Sequence, residues 1–333
     1  MNIKNLSYFE GKRILITGGG GFLGSSVTKK LSSVSCYIRL LDLRNPDLSY
    51  LTNCRAKIVV TIADITQEST WKKAIKDIDI IFHFAAQTNL SVATKEPVKD
   101  LSINLLPIVR LIQTCQTSNI WPDILFSGTV TQVGLTKIWP VNEDFIDRPI
   151  TVYDIDKLSA EKYLFYYADQ LQGRSCVLRL CNLYGPGPKT SSADRGILNM
   201  MIQRAIIGEP LTVYGKGNFV RDYFFIDDVV NAFLTAATKM THVSGHHFIL
   251  GTGVGHSIKE MMQMIASGVK EKRGSRVLIK HVKLPLDLSP IESRNFIADY
   301  SRFQKAVGWK PEVMLKEGIE RTIDYYLNSN LVK

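Results

Sequence analysis

Thr17-Gly18-Gly19-Gly20-Gly21-Phe22-Leu23-Gly24 joins an apolar run, Arg13 to Thr17 (RILIT), to a helical pattern over Phe22 to Ser32. The run is continuous rather than alternating, as a strand covered on both faces must be. Four consecutive glycines permit a turn that side chains would obstruct. They also let backbone N–H groups approach an anion at the start of the helix. Gly19, Gly21 and Gly24 fit GxGxxG, while Gly18, Gly21 and Gly24 fit the related TGxxGxxG. A bare glycine pattern carries little weight and also describes a flexible turn. A strand before it and a helix after it give it a dinucleotide-binding reading.

Moving outward, Tyr37 to Leu41 reads as a second strand, and Asp42 lies 18 residues after Gly24. At that distance a carboxylate meets the adenosine ribose hydroxyls and repels the 2′-phosphate of NADP, so NAD is the expected cofactor. Arg44 nearby is of the type that accepts such a phosphate. Lys57 to Thr61 is a third strand, followed by Asp64 and Ile65. Asp64 either hydrogen-bonds the adenine amino group or caps a helix. Further elements are a helix over Thr70 to Ile75, strands over Ile78 to Phe84, Ile124 to Ser127 and Ser175 to Leu180, and helices over Val98 to Thr117 and Val152 to Leu171. Pro107 should kink the first of those two long helices and aim Asn104 inward. The alternation predicts an α/β fold, a Rossmann-type doubly wound parallel sheet with a smaller C-terminal α/β domain. Gly185 to Asp194 reads as a loop, and beyond it lie more helices, a strand over Leu211 to Tyr214 and the run Arg221 to Val230. The expected division is an NAD-binding domain from residues 1–185 plus roughly 222–252, and a substrate domain from 186–221 and 253–333.

Composition bounds the rest. The chain has 333 residues, 45% hydrophobic and 22% charged, which argues against disorder, collagen and coiled coil. No apolar run approaches the ~20 residues of a membrane span, and the polar start carries no signal-peptide core. A net charge of +10 suits an anionic partner. No run of five like charges marks a nucleic-acid stripe, so nucleic acid and membrane are not expected partners. Five scattered cysteines without CxxC spacing read as reduced thiols of a cytoplasmic protein. The six histidines show no HExxH, and adjacent His246 and His247 would face opposite sides of a strand, so no metal site is expected.

Tyr153-Asp154-Ile155-Asp156-Lys157 is YxxxK, and a spacing of four puts Tyr153 and Lys157 on one helix face. A free tyrosine, with pKa near ~10, is a poor base at neutral pH; a nearby ammonium stabilises its phenolate. Other segments add to this: His83-Phe84-Ala85-Ala86 with Pro97 and Asn104 behind it, Phe126-Ser127-Gly128-Thr129, Arg179 to Gly187 (RLCNLYGPG), Val213 to Gly217 (VYGKG) with Arg221-Asp222-Tyr223, and Arg294 ahead of Phe296-Ile297-Ala298-Asp299. On these motifs the chain resembles the extended short-chain dehydrogenase/reductases, specifically the NAD-dependent sugar-nucleotide epimerase/dehydratase family, over nearly its whole length.

The resemblance implies roles. Thr129, Tyr153 and Lys157 would be catalytic. Tyr153 would take a proton from a sugar hydroxyl as hydride leaves its carbon, Thr129 would hydrogen-bond the same oxygen, and Lys157 would bind the nicotinamide ribose and tune Tyr153. Gly18, Gly21, Phe22, Leu23, Gly24, Asp42, Asp64, Ile65, Ala85 and Ala86 would join Tyr153 and Lys157 in holding NAD. Thr129, Asn182, Tyr214, Arg221 and Arg294 would bind a nucleotide-diphosphate sugar, the arginines at its diphosphate. The family's two long helices pair across a two-fold axis, which implies a homodimer through a four-helix bundle; Tyr163, Phe165, Tyr166 and Tyr167 supply aromatic surface on the second.

Departures from the family pattern narrow the reaction. Its 4,6-dehydratases carry Asp-Glu directly after the catalytic threonine, and its sugar-acid decarboxylases a glutamate in the same segment. Here Val130 and Thr131 occupy those positions. Val133 replaces the usual tyrosine before Gly134, and Ala93 a common serine. What is left is an epimerase, expected at C4 of an NDP-hexose through a transient keto sugar, or an NAD(P)H-dependent 4-keto-sugar-nucleotide reductase. A catalytically dead relative that only binds NAD or a partner would have no reason to keep Thr129, Tyr153 and Lys157 together.

Overall fold

The computed structural model describes residues 6–187, 196–284 and 289–329. The part of the expected 185–194 loop from 188 onward lies outside the described residues. The strands are β1 (Arg13–Thr17), β2 (Tyr37–Asp42), β3 (Lys57–Ile62), β4 (Ile80–His83), β5 (Asp123–Thr129), β6 (Arg174–Leu180), β7 (Asn182–Tyr184), β8 (Leu211–Tyr214), β9 (Val220–Phe225), β10 (His246–Leu250), β11 (Gly255–Ser257) and β12 (Ile279–Val282). Seven of them form one parallel sheet in the order β10-β6-β5-β4-β1-β2-β3. The strand order reverses beside β1, so the crevice outside the ends of β1 and β4 is where an open α/β sheet binds ligands. A three-stranded sheet (β11-β9-β7) and a two-stranded one (β12-β8) complete the strand pairing among the described residues.

Helices are α1 (Phe22–Leu31), α2 (Glu68–Ala74), α3 (Leu90–Lys95), α4 (Pro97–Asn104), α5 (Leu106–Ser118), α6 (Val152–Asp169), α7 (Ile197–Ile206), α8 (Ile226–Thr238), α9 (Met240–Val243), α10 (Ile258–Arg273), α11 (Ser301–Val307) and α12 (Leu315–Asn328). The apolar run of β1 is explained by two cores. Ile14 and Ile16 face the one shared with Val27 of α1 and Phe233 of α8. Leu15 faces the other, with Trp71 of α2, Leu111 of α5 and Leu164 of α6. None of the described helices is long and apolar enough to cross a membrane.

The expected helix over Val98 to Thr117 is two helices. α4 stops at Asn104, Leu105 sits at φ −109°, ψ −54°, and Pro107 falls in the first turn of α5, where its missing N–H costs nothing. The proline therefore starts a new helix rather than bending one. Asn104 is aimed inward: its Oδ1 accepts the Gln87 amide at 3.1 Å, and its Nδ2 donates to the Gln87 carbonyl at 2.9 Å.

One buried carboxylate joins the large sheet to the rest. Asp222 on β9 accepts from the amides of Thr252 (2.8 Å), Gly253 (3.0 Å) and Ala298 (3.1 Å) and from the Thr252 hydroxyl (2.7 Å). Ala298 also bridges in parallel to Val141.

Candidate active site

The glycine loop forms a cradle that side chains would fill. Gly18 has φ +66°, and a Cβ there would lie 2.8 Å from the Ala85 amide nitrogen; one on Gly24 would lie 2.2 Å from the Gly18 carbonyl oxygen. α1 begins at Phe22 with Leu23 and Gly24 in its first turn; its N-cap, Gly21, makes no side-chain capping bond, and no acidic residue sits in that turn. The positive end of the helix is thus left to an external anion. The Thr17 hydroxyl oxygen accepts the amides of Phe84 (3.1 Å) and Ala85 (3.2 Å), which seats the stretch leading to Ala86 against Gly18. Asp42 Oδ2 accepts the Gly20 amide at 2.9 Å, so the carboxylate at the end of β2 points at the loop. Arg44 gives Asp42 only its backbone amide, at 3.4 Å, and its side chain is exposed.

Asp64 Oδ1 accepts the Thr66 amide at 2.8 Å, and α2 begins after Gln67, so Asp64 is not the cap of that helix. Ile65 is buried, and its carbonyl is held by the Trp71 indole N–H at 2.9 Å. Loop, helix end and ribose-directed carboxylate together fit a dinucleotide pyrophosphate and its adenosine ribose.

Across the crevice, Thr129 ends β5 and caps a short 3-10 turn over Val130–Val133. Gln132 Oε1 takes the Thr129 amide at 3.0 Å, and Gln132 Nε2 donates to Glu161 at 3.1 Å. Glu161 in turn shares the wholly buried Arg179 guanidinium with Asp147: Nε and Nη2 reach Glu161 at 2.9 and 2.6 Å, and Nη1 reaches Asp147 at 2.6 Å. The turn that aims Thr129 therefore rests on a buried charge network. Thr129 Oγ1 lies 2.7 Å from Thr131 Oγ1, and Thr131 donates to Asp154, the third residue of α6. That bond brings the Thr129 turn against the start of α6, where Tyr153 is the second residue and is half-buried.

Lys157 lies one turn further along α6, buried, with Nζ 3.8 Å from the centre of the Phe126 ring. Burial pulls its ammonium down to about 7, against the pull of Asp100 and Glu161. Burial, with the Lys157 charge, also drops His83 to about 3, so that imidazole stays neutral.

Arg221 and Arg294 come together. Arg221 Nη2 donates to the Glu292 carbonyl at 2.6 Å and Nη1 donates to the Arg294 carbonyl; Arg294 Nη1 donates to the Ile291 carbonyl at 2.8 Å. Arg294 Nε is buried with no partner among the described residues. Burial and the Arg294 charge lower Arg221 to about 10. Two like charges are thus held side by side on carbonyls, and Arg294 is no solvated surface arginine. Asn182 opens β7, opposite Tyr223 on β9, and Tyr214 ends β8 half exposed.

Reading the sequence missed the supporting set. Thr131 entered only as the lack of a carboxylate, Asp154 only as a spacer in YxxxK, and Gln132 and Glu161 not at all, because each acts through a residue 18 to 29 positions away. Of the four aromatics on α6, Tyr167 is buried with its hydroxyl on the Pro122 carbonyl, and Phe165 stacks on His247; Tyr163 and Tyr166 are the exposed two.

Comparison with known proteins agrees with this geometry. The chain is 28% identical over 322 residues to the UDP-glucose 4-epimerase of Mycolicibacterium smegmatis, covering 96% of this chain and 99% of that one. Among solved structures, the Thermotoga maritima UDP-glucose 4-epimerase with UDP-glucose superposes with a TM-score of 0.83 at 28% identity, covering 95% of this chain and 98% of the other. The Thermus thermophilus UDP-glucose 4-epimerase in complex with NAD shares the fold, with a TM-score of 0.78 at 24% identity and 95% and 99% coverage. A sequence model of the NAD dependent epimerase/dehydratase family matches residues 14–251, and the chain belongs to that family of NAD-dependent enzymes.

Proposed function

We propose that this enzyme inverts C4 of a nucleotide-diphosphate hexose through a transient keto sugar. The observation that carries this reading is the filling of positions 130 and 131. Val130 is turned into the core and Thr131 is bonded to Asp154, so neither of these two positions supplies a carboxylate to eliminate water or assist loss of carbon dioxide. The full-length likeness to UDP-glucose 4-epimerases supports the same reading.

Bound NAD supplies two-electron hydride exchange with the sugar carbon. Gly18, Gly21, Phe22, Leu23 and Gly24 would hold its pyrophosphate, Asp42 its adenosine ribose, Asp64 and Ile65 its adenine, and Ala85 and Ala86 would line its path. Tyr153 takes the C4 hydroxyl proton and later returns it, and Thr129 hydrogen-bonds the same oxygen. Lys157, beneath Tyr153, favours the phenolate by its charge and reaches the nicotinamide ribose. Asn182 contacts the sugar, Arg221 and Arg294 the diphosphate, and Tyr214 the base. The substrate side is assembled from 186–221 and 253–333, the cofactor side from the remainder.

A symmetric homodimer fits the helices that flank the site. Val98 and Leu101 on α4 and Ile155, Tyr163 and Tyr166 on α6 are apolar yet exposed, Val98 by 80%. Such surface suits an isologous four-helix contact. A reducing, cytoplasmic setting fits the five unpaired cysteines.

The test uses UDP-glucose and UDP-galactose deuterated at C4, without added reductant. Interconversion with the label retained, and loss of roughly 10²–10⁴-fold in kcat for Tyr153→Phe, is the expected result. Reaction of 4-keto sugars only, with stoichiometric consumption of NADH or NADPH, would replace the epimerase with a reductase.

A further inference from the structure

Two carboxyls meet behind the helix that carries Tyr153 and Lys157. Asp100 on α4 and Asp156 on α6 are both buried, and they hydrogen-bond to each other between the two helices. Carboxylates only accept, so such a bond needs a proton and one of the pair is an acid. The surrounding amides decide which. Gln87 Oε1 accepts the Asn89 backbone amide, which turns Gln87 Nε2 to the Asn89 carbonyl (2.9 Å) and to Asp100 Oδ1 (2.5 Å). Asn104 Oδ1 accepts the Gln87 backbone amide at 3.1 Å, which turns its Nδ2 to the Gln87 carbonyl (2.9 Å) and to Asp100 Oδ2 (3.0 Å). Each NH₂ has both hydrogens engaged, one of them on Asp100. Asp100 thus receives a donor on each oxygen, which favours its ionised form. Asp156 Oδ2 is buried and receives none among the described residues. The proton therefore belongs to Asp156. Burial, then the hydrogen bond and charge of Asp100, push the Asp156 carboxyl up to about 7, in agreement.

The charge on Asp100 has only neutral amides on its oxygens apart from that acid. Lys157 is a buried cation in the converse position. The groups that face it are Asp100 from α4, Glu161 on its own helix, and from the sheet the Phe126 ring and the neutral His83 imidazole. Glu161 and Asp147 are already matched by Arg179 and Lys162. An aromatic face attracts an ammonium but carries no net charge. Asp100 is left, and it pulls on Lys157 more strongly than Glu161 does. A buried ammonium without a counter-charge gives up its proton instead of staying charged.

We propose that Asp100 is the counter-ion that keeps Lys157 charged, and that Asp156 is a neutral acid whose O–H holds Asp100 to α6. Both act through Lys157 and are positioning residues. The proposal rests on the reading of Lys157 as the ammonium that favours the Tyr153 phenolate. An epimerase uses Tyr153 first as base and then as acid, so the ammonium beside it must stay charged through both steps. A fixed, buried counter-ion meets that need without any movement. Gln87 directly follows Ala85 and Ala86, so the same anion also pins the stretch assigned to the cofactor path.

The experiment follows the titration of Lys157 itself, by NMR of the lysine ε-carbons in NAD-loaded protein made with isotope-labelled lysine. The Lys157 resonance is assigned by its absence from Lys157→Met. Asp100→Asn removes the counter-charge, and the Lys157 midpoint should fall by about 1–2 pH units. Asp156→Asn makes the same change of atoms one hydrogen bond away. It replaces a neutral acid with a neutral amide that still donates to Asp100, so the midpoint should fall by less than about half a unit. A fall of less than about half a unit in Asp100→Asn overturns the proposal, as does an equal fall in the two variants. A purely structural pair would change stability in both and leave the midpoint in place.

An Asn at 100 would turn its NH₂ toward one of the two amide donors. Should that variant fail to fold, the location of the proton decides. The infrared difference between wild type and Asp156→Asn, taken below the Asp156 midpoint of about 7, should show the loss of a protonated carboxyl. Loss of an ionised carboxylate instead overturns the proposal. Failure of the C4 reading shows separately, as absence of UDP-hexose interconversion by the wild type, and leaves the Lys157 titration interpretable.

Discussion

The two walls of the crevice are built from different materials. The cofactor wall is backbone: glycines whose missing Cβ atoms make room, a helix end without a capping side chain, and one carboxylate on an amide. The wall proposed for the sugar is side chain: Arg179 between Glu161 and Asp147, and Arg221 beside Arg294, buried charge throughout, with Lys157 against Phe126 where the two walls meet. A wall of amides is nearly indifferent to pH and salt. A wall of buried ions is stable only while each ion keeps its partner. The cofactor wall should therefore tolerate changes of condition that the sugar wall does not.

The largest expected effect is on the ion network. Glu161→Ala leaves Arg179 with one carboxylate and strips Gln132 of its acceptor, and should cost about 3–5 kcal/mol in urea unfolding. A loss below 1 kcal/mol, on the order of a surface pair, would mean that the sugar wall is not held by this network. Next is Lys157. Its folded value is depressed from near 10.5 to about 7, so the unfolded chain binds the extra proton between those two pH values and stability rises with pH across that window. Lys157→Met should accordingly be more stable than wild type below pH 7, with the gap closing toward pH 10.5; a gap constant with pH would contradict this.

A smaller effect is expected on the cofactor wall. Asp42→Ala should narrow the NAD over NADP preference by about 1–3 kcal/mol, one charged hydrogen-bond contact, measured by binding of both dinucleotides. Wild-type protein that binds NADP as tightly as NAD would overturn the reading of Asp42. The smallest effect belongs to an exposed pair, Glu68–Lys72, at 2.8 Å with both side chains more than half exposed. Glu68→Gln should leave the melting temperature unchanged. If it matters as much as Glu161, burial is not what distinguishes the ions of the sugar wall.

The same contrast governs what was legible in the sequence. The glycine loop, Asp42 and the strand–helix alternation are local, because a strand, a turn and a helix end must follow one another along the chain. Hence β1 and the start of α1 match their readings to the residue. The sugar wall is assembled across distance. Arg221 meets carbonyls 71 and 73 positions away, and β10, read as belonging with the NAD-binding domain, joins the main sheet beside β6, a pairing that its local sequence does not specify. Pro107 was legible as a disturbance but not as a helix start, because a proline that ends one helix and one that begins the next look alike until Leu105 is seen between them. Resemblance supplied the arginines; neither periodicity nor charge would have done so.

The joint at Asp222 also sets an order of events. The six strands that flank the glycine cradle are complete at Leu180, while Ala298, which Asp222 and Val141 both require, is synthesised 118 residues later (298 − 180). At ribosomal speeds that interval is on the order of ten seconds. During it the large sheet has six of its seven strands, with β10 and the α8 side of its core still to come, and Arg221 and Asp222, once made, wait for the carbonyls and the Ala298 amide they will bind. A nascent chain in that interval is half an enzyme, with its glycine cradle already made and a set of charges still waiting for the C-terminal segment to arrive.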